Sequence, residues 1–337
     1  MKLSVISVVD HHLEHGRSIP EFYRELIAQA ELADDLGCEA FFVAEHHFHA
    51  YGVAPNPAIL LSAIAQRTSR IKIGPAIALL TFANPLKAAE DYAMLDVLSN
   101  GRLAFGVGSG YLGHEFAGFN LDVAEKRERF DETFQLVRRL LAGERVTHEG
   151  KYHRLNDVAI NVRPIQDPMA YYVAILRTEG AHLVGSQGYG LFTVPYASLD
   201  RFEDIGPLIG EFRRGRKEAG AAPLPGGVSD SIVALHTHVA DTDDEARRVA
   251  EDPFNLYVRT RLYGVRFLYD DIIRNGLGLF GSVETVAQKL VALERMGIDH
   301  VMMLANFGQM PSGDVERSMR MMMNEVLPRA RAAKSAA

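Results

Sequence analysis

Cysteine is almost absent. Cys38 stands alone among 337 residues, which excludes an intrachain disulfide and a zinc site built from several thiolates. A chain with one thiol is expected in a reducing cytoplasm. Long apolar runs are missing as well: no stretch of about 20 such residues occurs, so no membrane span is expected. The opening run from Met1 to Val9 meets Asp10 too early to form the core of a secretory leader, and it reads as a strand. Positive charge is in deficit. Lysine and arginine number 36 against 43 acidic residues, for a formal net charge of -7, so nothing electrostatic points to nucleic acid. The basic cluster Arg213-Arg214-Gly215-Arg216-Lys217 reads as the solvated end of a helix. There is no repeat of solenoid length, and low complexity is confined to the alanine-rich tail from 332 to 337, expected to fray.

What remains is a chain 47% hydrophobic and 23% charged, long enough for a large core. Apolar strand-like runs recur at 3–9, 40–43, 71–79, 102–107, 171–175, 190–194, 232–239 and 300–304. Helical periodicity fills most of the gaps. Between Ile19 and Leu36, Phe22, Leu26, Ile27, Ala30, Leu32 and Ala33 form one stripe, Pro20 sits in the first turn and Gly37 ends it. The segments 57–69 and 85–98 also start on proline. Strands alternating with helices imply parallel pairing, and about eight such units predict an α/β TIM (β/α)8 barrel. One domain spanning 1–337 is expected. Two insertions interrupt it: a hairpin or extended segment over about 144–166, and an aromatic-rich stretch over about 252–280, read as helices without a strand.

Ligands of such a barrel sit at the C-terminal ends of its strands. Those positions hold Asp10, His11 and His12; Glu45, His46, His47 and His49; Thr81, Phe82 and Asn84; the run Gly106-Val107-Gly108-Ser109-Gly110-Tyr111; and Arg177, Thr178 and Glu179 ahead of a helix. Imidazoles that titrate near neutrality, beside carboxylates, can move protons or hold a metal. A helix start next to an arginine and a hydroxyl can cradle a phosphate. Blander readings stay open at this point. His46 and His47 could be structural, His11, His12 and His49 could be ordinary loop residues, the glycine run a tight turn, and Arg127 part of a solvated helix face. A metal-dependent barrel hydrolase is a rival, since Asp10, His11, His12, Glu45, His46, His47 and His49 offer suitable nitrogen and oxygen ligands.

An ordered set of motifs narrows the choice. Ala44-Glu45-His46-His47-Phe48 is followed by Gly52, Asn56-Pro57, Ile73-Gly74, Asn84-Pro85, Ala89-Glu90-Asp91 and the run from Leu95 to Arg102. Phe105-Gly106, Glu115-Phe116, the run from Gly281 to Glu284 and the run from Met296 to Asp299 complete it. The series resembles the bacterial luciferase-like family of flavin-dependent monooxygenases over most of the chain. That resemblance implies a barrel that takes reduced FMN (FMNH2) from a separate flavin reductase and activates O2 as a flavin C4a-peroxide beside a small organic substrate. It implies His46 as the acid/base group, with His47 and Glu45 orienting it. The Ala76-Ile77 pair matches the place where the backbone bulges against the flavin, often with a cis non-prolyl bond. Arg127 and the turn Leu176-Arg177-Thr178 match phosphate contacts.

Departures from the family are visible. Ser109 stands where an arginine is usual, Gly108 stands where a reactive cysteine occurs, and Arg177 is expected to compensate for Ser109. His11 and His12, with Phe82 and Tyr111, are expected to select substrate. His236-Thr237-His238, Pro253 and Tyr257 look like family members from natural-product pathways, which tilts the expected substrate toward a secondary-metabolite intermediate. An F420-dependent oxidoreductase on the same fold is the near alternative, and a flavin-binding protein without catalysis a further one. Family members often pair through the second and third helices, so a homodimer is expected.

Overall fold

A computed structural model describes residues 1–227, 229–261 and 267–335. In chain order the elements are β1 (Lys2–Ser7), α1 (Ile19–Asp35), β2 (Ala40–Val43), α2 (Pro57–Arg67), β3 (Lys72–Pro75), β4 (Ala78–Leu79), α3 (Pro85–Leu98), β5 (Phe105–Gly108), α4 (Gly113–Gly118) and α5 (Lys126–Leu141). There follow β6 (Val146–Glu149), β7 (Arg154–Val158), β8 (Tyr171–Ile175), α6 (Glu179–Ser186), β9 (Gly190–Thr193), α7 (Ile205–Glu218), β10 (Ser231–Ala240), α8 (Asp243–Thr260) and α9 (Tyr269–Asn275). The last are β11 (Gly278–Ser282), α10 (Val283–Arg295), β12 (His300–Asn306), α11 (Ser312–Met321) and α12 (Leu327–Ser335).

Hydrogen bonding orders the large sheet as β3-β2-β1-β12-β10-β9-β8-β5-β4. Since β3 and β4 are successive halves of one interrupted strand, the two ends of that order meet and the parallel sheet closes into a TIM barrel. A bridge from Ile73 to Leu103 reinforces the closure. The strands β2, β5, β9, β10 and β12 are buried along their whole length, because helices cover the outside and side chains fill the inside. The helices start where side-chain chemistry dictates. Asn56 caps α2 by accepting from the Ala58 N–H, Asn84 caps α3 from Leu86 and Lys87, and proline occupies the first helical position of both.

Several expectations need correction. The stretch 252–280 is not purely helical, because β11 begins at Gly278 and pairs in parallel with β10, His236 opposite Gly278. Its sequence Gly-Leu-Phe-Gly-Ser is too short, and too rich in glycine, to show a strand period. Residues 262–266 of that insertion lie outside the described residues. The segment from 144 does form a hairpin, β6 against antiparallel β7. The alanine-rich tail is helical through Ser335, and its last two residues lie outside the described set. Arg216 is not solvated: it is buried, its guanidinium donating to the carbonyls of Gly188 and Tyr189 and lying 3.1 Å from Asp230.

Candidate active site

The turn after β2 carries a network of polar contacts at the barrel mouth. Nδ1 of His46 lies 3.1 Å from Oε1 of Glu115, and the same oxygen accepts the backbone N–H of His47 at 3.0 Å. Glu115 sits on α4 and is 1% exposed. A buried carboxylate on Nδ1 holds the proton there and leaves Nε2 of His46 for chemistry. His47 is fixed from the other side, with Nε2 3.0 Å from Oε1 of Glu45, while Oε2 of Glu45 accepts the Leu79 N–H at 3.0 Å. Glu45 thereby ties the end of β2 to β4. Gly52 matters for packing: a Cβ there would lie 2.6 Å from the Cβ of His46. The Tyr51 ring packs on His46 with centroids 4.6 Å apart.

The peptide between Ala76 and Ile77 is cis, and the strand breaks there into β3 and β4, at the position expected to bulge. Ile77 points at Gly108, where an added Cβ would lie 2.0 Å from Cδ1 of Ile77. A larger residue at 108 would require the end of the Ile77 side chain to move aside. Around this bulge opens a cavity of about 850 Å3, and its lining brings together Glu45, His46, Ala76, Ile77, Ser109, Tyr111, Arg127, Leu176 and Arg177. Gly108 lines a smaller adjoining cleft of about 250 Å3 between α5 and α6, which shares Ser109, Arg127 and Gly180 with the first. Lys126, Arg127 and Arg177 give the large cavity a cationic side. Arg127 is 58% exposed and pairs with Asp131 at 2.9 Å. Thr178 is the residue before α6, so the helix start and Arg177 adjoin the same space. Much of the remaining lining is apolar, including Val8, Phe192, Val194, Ala234, Met302 and Leu304, and the polar groups in it are those of Tyr51, Tyr196, Ser198 and Tyr257.

His11, His12 and Phe82, expected to touch substrate, fall outside the cavity lining. Nε2 of His11 is 2.6 Å from the Arg17 carbonyl. Nε2 of His12 is 3.1 Å from Oδ2 of Asp10, which also accepts the Gly308 N–H at 2.8 Å. Both imidazoles are therefore engaged in holding the loop after β1. Phe82 stacks on Phe119 at 4.6 Å and packs edge-on against Phe116 at 4.8 Å, behind the His47 ring. His49 lies 5.4 Å from the His114 ring, and burial, followed by the nearby His114 and His12, pushes its pKa down. Among the described residues no three His, Cys, Asp or Glu side chains gather as a metal ligand set. Glu115 was visible only as part of a motif. Tyr51, Tyr196 and Tyr257 line the same cavity; only Tyr257 stands out in the sequence, through its likeness to natural-product family members, and the meeting of the three is hidden because they lie far apart in the chain.

A sequence model described as luciferase-like monooxygenase matches residues 1–300. Limonene 1,2-monooxygenase of Rhodococcus erythropolis is 32% identical over 274 residues, 78% of this chain and 70% of that protein. The oxygenase component of the flavin-dependent trigonelline monooxygenase of Acinetobacter baylyi is 25% identical, covering 91% of this chain and 90% of its own. The crystal structure of monooxygenase RslO1 from Streptomyces bottropensis superposes with a TM-score of 0.90 at 30% identity, over 97% of this chain and 99% of that one. Two uncharacterized Sinorhizobium fredii proteins, y4wF and y4vJ, match at 35% and 31% identity over 57% and 64% of their own lengths. An F420-dependent glucose-6-phosphate dehydrogenase of Amycolatopsis mediterranei is 32% identical across 54% of this chain and 56% of its own. Fold, motif series and relatives agree: the chain belongs to the luciferase-like monooxygenase family.

Proposed function

We propose that the protein is an FMNH2-dependent monooxygenase that inserts an atom of O2 into a small organic substrate, with its reduced flavin supplied by a separate reductase. The carrying observation is the convergence on one cavity of His46, oriented by Glu115, of Ala76 and Ile77 between β3 and β4, and of the cationic side formed by Lys126, Arg127 and Arg177. Reduced FMN fits this donor set. A dianionic phosphate matches Arg127, Arg177, Ser109 and the start of α6, and the apolar lining suits a flat ring system.

When bound, reduced FMN supplies the electrons that activate O2. The protein's own share is positional. The apolar walls exclude water, His46 holds or delivers a proton at Nε2, and Glu115 orients the imidazole through Nδ1. The His47–Glu45 pair fixes the turn that carries His46. The trigonelline relative is named as the oxygenase component of a flavin-dependent system, which supports a reductase partner here. F420 is the competing cofactor because the glucose-6-phosphate dehydrogenase relative uses it.

Stopped-flow mixing of FMNH2 with oxygenated buffer separates the cases. Wild-type protein should slow flavin reoxidation relative to free FMNH2, and His46→Ala should abolish most of that protection. Reoxidation at the free rate, together with tight binding of F420, overturns the monooxygenase reading. A homodimer is also proposed. Ile59, Met94, Val97 and Leu98 on α2 and α3 are 72%, 49%, 42% and 46% exposed, an apolar face that an isologous contact would cover.

A further inference from the structure

Three tyrosines from separate elements meet in the wall of the His46 cavity. The hydroxyl of Tyr257, on α8, is 3.0 Å from that of Tyr51 and 2.9 Å from that of Tyr196. All three residues are 1% to 3% exposed and all line the cavity. Tyr51 also packs on His46, so this hydroxyl chain begins against the proposed proton-handling group. Either oxygen of each pair can donate. The chain can therefore reverse its protons and present a donor or an acceptor to a bound molecule.

Behind the tyrosines the wall is unusual in its charge. Arg261 is 1% exposed, and its guanidinium lies 4.4 Å from the centroid of the Tyr196 ring. His236 is completely buried among Tyr196, Phe254, Tyr257 and Phe307, and burial, then Arg261, drive its pKa far below the ordinary value. The imidazole is thus neutral, and Arg261 brings a positive charge close to it. A buried cation beside a hydroxyl chain favours negative charge on any oxygen hydrogen-bonded to it.

The geometry points to a substrate class: we infer that Tyr51, Tyr257 and Tyr196 bind the oxygen of a hydroxylated aromatic molecule, a phenol, whose apolar ring lies against Phe192, Val194 and Ala234. This rests on the monooxygenase reading for the reaction and on the tyrosines, with Arg261 behind them, for the substrate. No part of it needs the residues at the phosphate end of the cavity.

Binding of 2-naphthol and of naphthalene, the same ring without the oxygen, to FMN-saturated protein tests it by equilibrium dialysis. Wild type should prefer 2-naphthol by about tenfold or more, as expected for a hydrogen bond to a group with charged character. Tyr257→Phe and Tyr51→Phe, which keep the rings, should each remove most of that preference and leave naphthalene and FMN affinities unchanged. Equal binding of the two probes to wild type, or an undiminished preference in both variants, overturns the inference. Failure of FMN to bind at all strikes the flavin reading instead, and the two probes compared on the flavin-free protein still decide the role of the tyrosines.

Discussion

Arg177 is the residue whose role rests most on electrostatics. Ser109 leaves the end of the fourth barrel strand without a cation, and Arg177, after β8, lines the same cavity. A charge-assisted phosphate contact contributes roughly 1.5–3 kcal/mol. Arg177→Ala is therefore expected to weaken FMN binding about tenfold or more by fluorescence titration, while Lys217→Ala, an exposed position on α7, leaves it unchanged. Equal affinities would remove the compensation argument. Arg216 is no substitute control, since its buried guanidinium holds Asp230 and backbone carbonyls of the 188–222 segment. Residue identity alone showed His46, His47 and Glu45 as a cluster, because they are adjacent in the chain. Glu115 was harder to see: its partner lies 69 positions away, and only folding α4 over the β2 turn makes the pair. The tyrosine chain is less legible still, with separations of 206 and 61 residues.

Elements with strong local chemistry were the readable ones. Asn84-Pro85 marks the start of α3, and the structure places the Asn84 side chain 3.0 Å from the Leu86 N–H and 3.3 Å from that of Lys87. Asn84→Ala should cost about 1 kcal/mol of stability, read as a lower urea midpoint with an unchanged slope; an unaltered midpoint contradicts the cap. The interrupted strand was also anticipated, through family resemblance at Ala76-Ile77 rather than through any propensity. By contrast, β11 escaped notice because glycine at both Gly278 and Gly281 hides a two-residue period. The fourth barrel strand was placed too early because Arg102 reads as part of an apolar run. Its side chain instead donates to the Ile71, Ala65 and Thr68 carbonyls, which fastens the end of α2 beneath the strand.

At the scale of the molecule, closure of the ring follows from alternating elements, so the barrel was legible while its ion pairs and buried polar groups were not. His236 and His238 on β10 and His300 on β12 are buried in the barrel wall. Burial holds His238 at about 4 and His300 at about 3, and His236 is likewise far below the ordinary value of 6.5. Such groups are neutral in the fold but take up protons in the unfolded chain, so stability is full above about pH 6.5 and is lost as pH falls toward 4. Asp314, Glu245 and Arg317 surround His238 electrostatically. The thermal midpoint should thus fall more steeply between those pH values for wild type than for His238→Gln, and parallel curves would contradict this. The proposed dimer is checked by sedimentation: a dimer at micromolar concentration that Ile59→Asp with Val97→Asp converts to a monomer is expected, and a wild-type monomer overturns it.

The central claim is that the barrel mouth holds reduced FMN beside His46. Anaerobic equilibrium dialysis against FMNH2, with FMN and F420 as competitors, tests it most directly. Uptake of one FMNH2 per chain, displaced by FMN and not by F420, is the predicted result. No uptake of either FMN form, or displacement of FMNH2 by F420 at far lower concentration than by FMN, would contradict it.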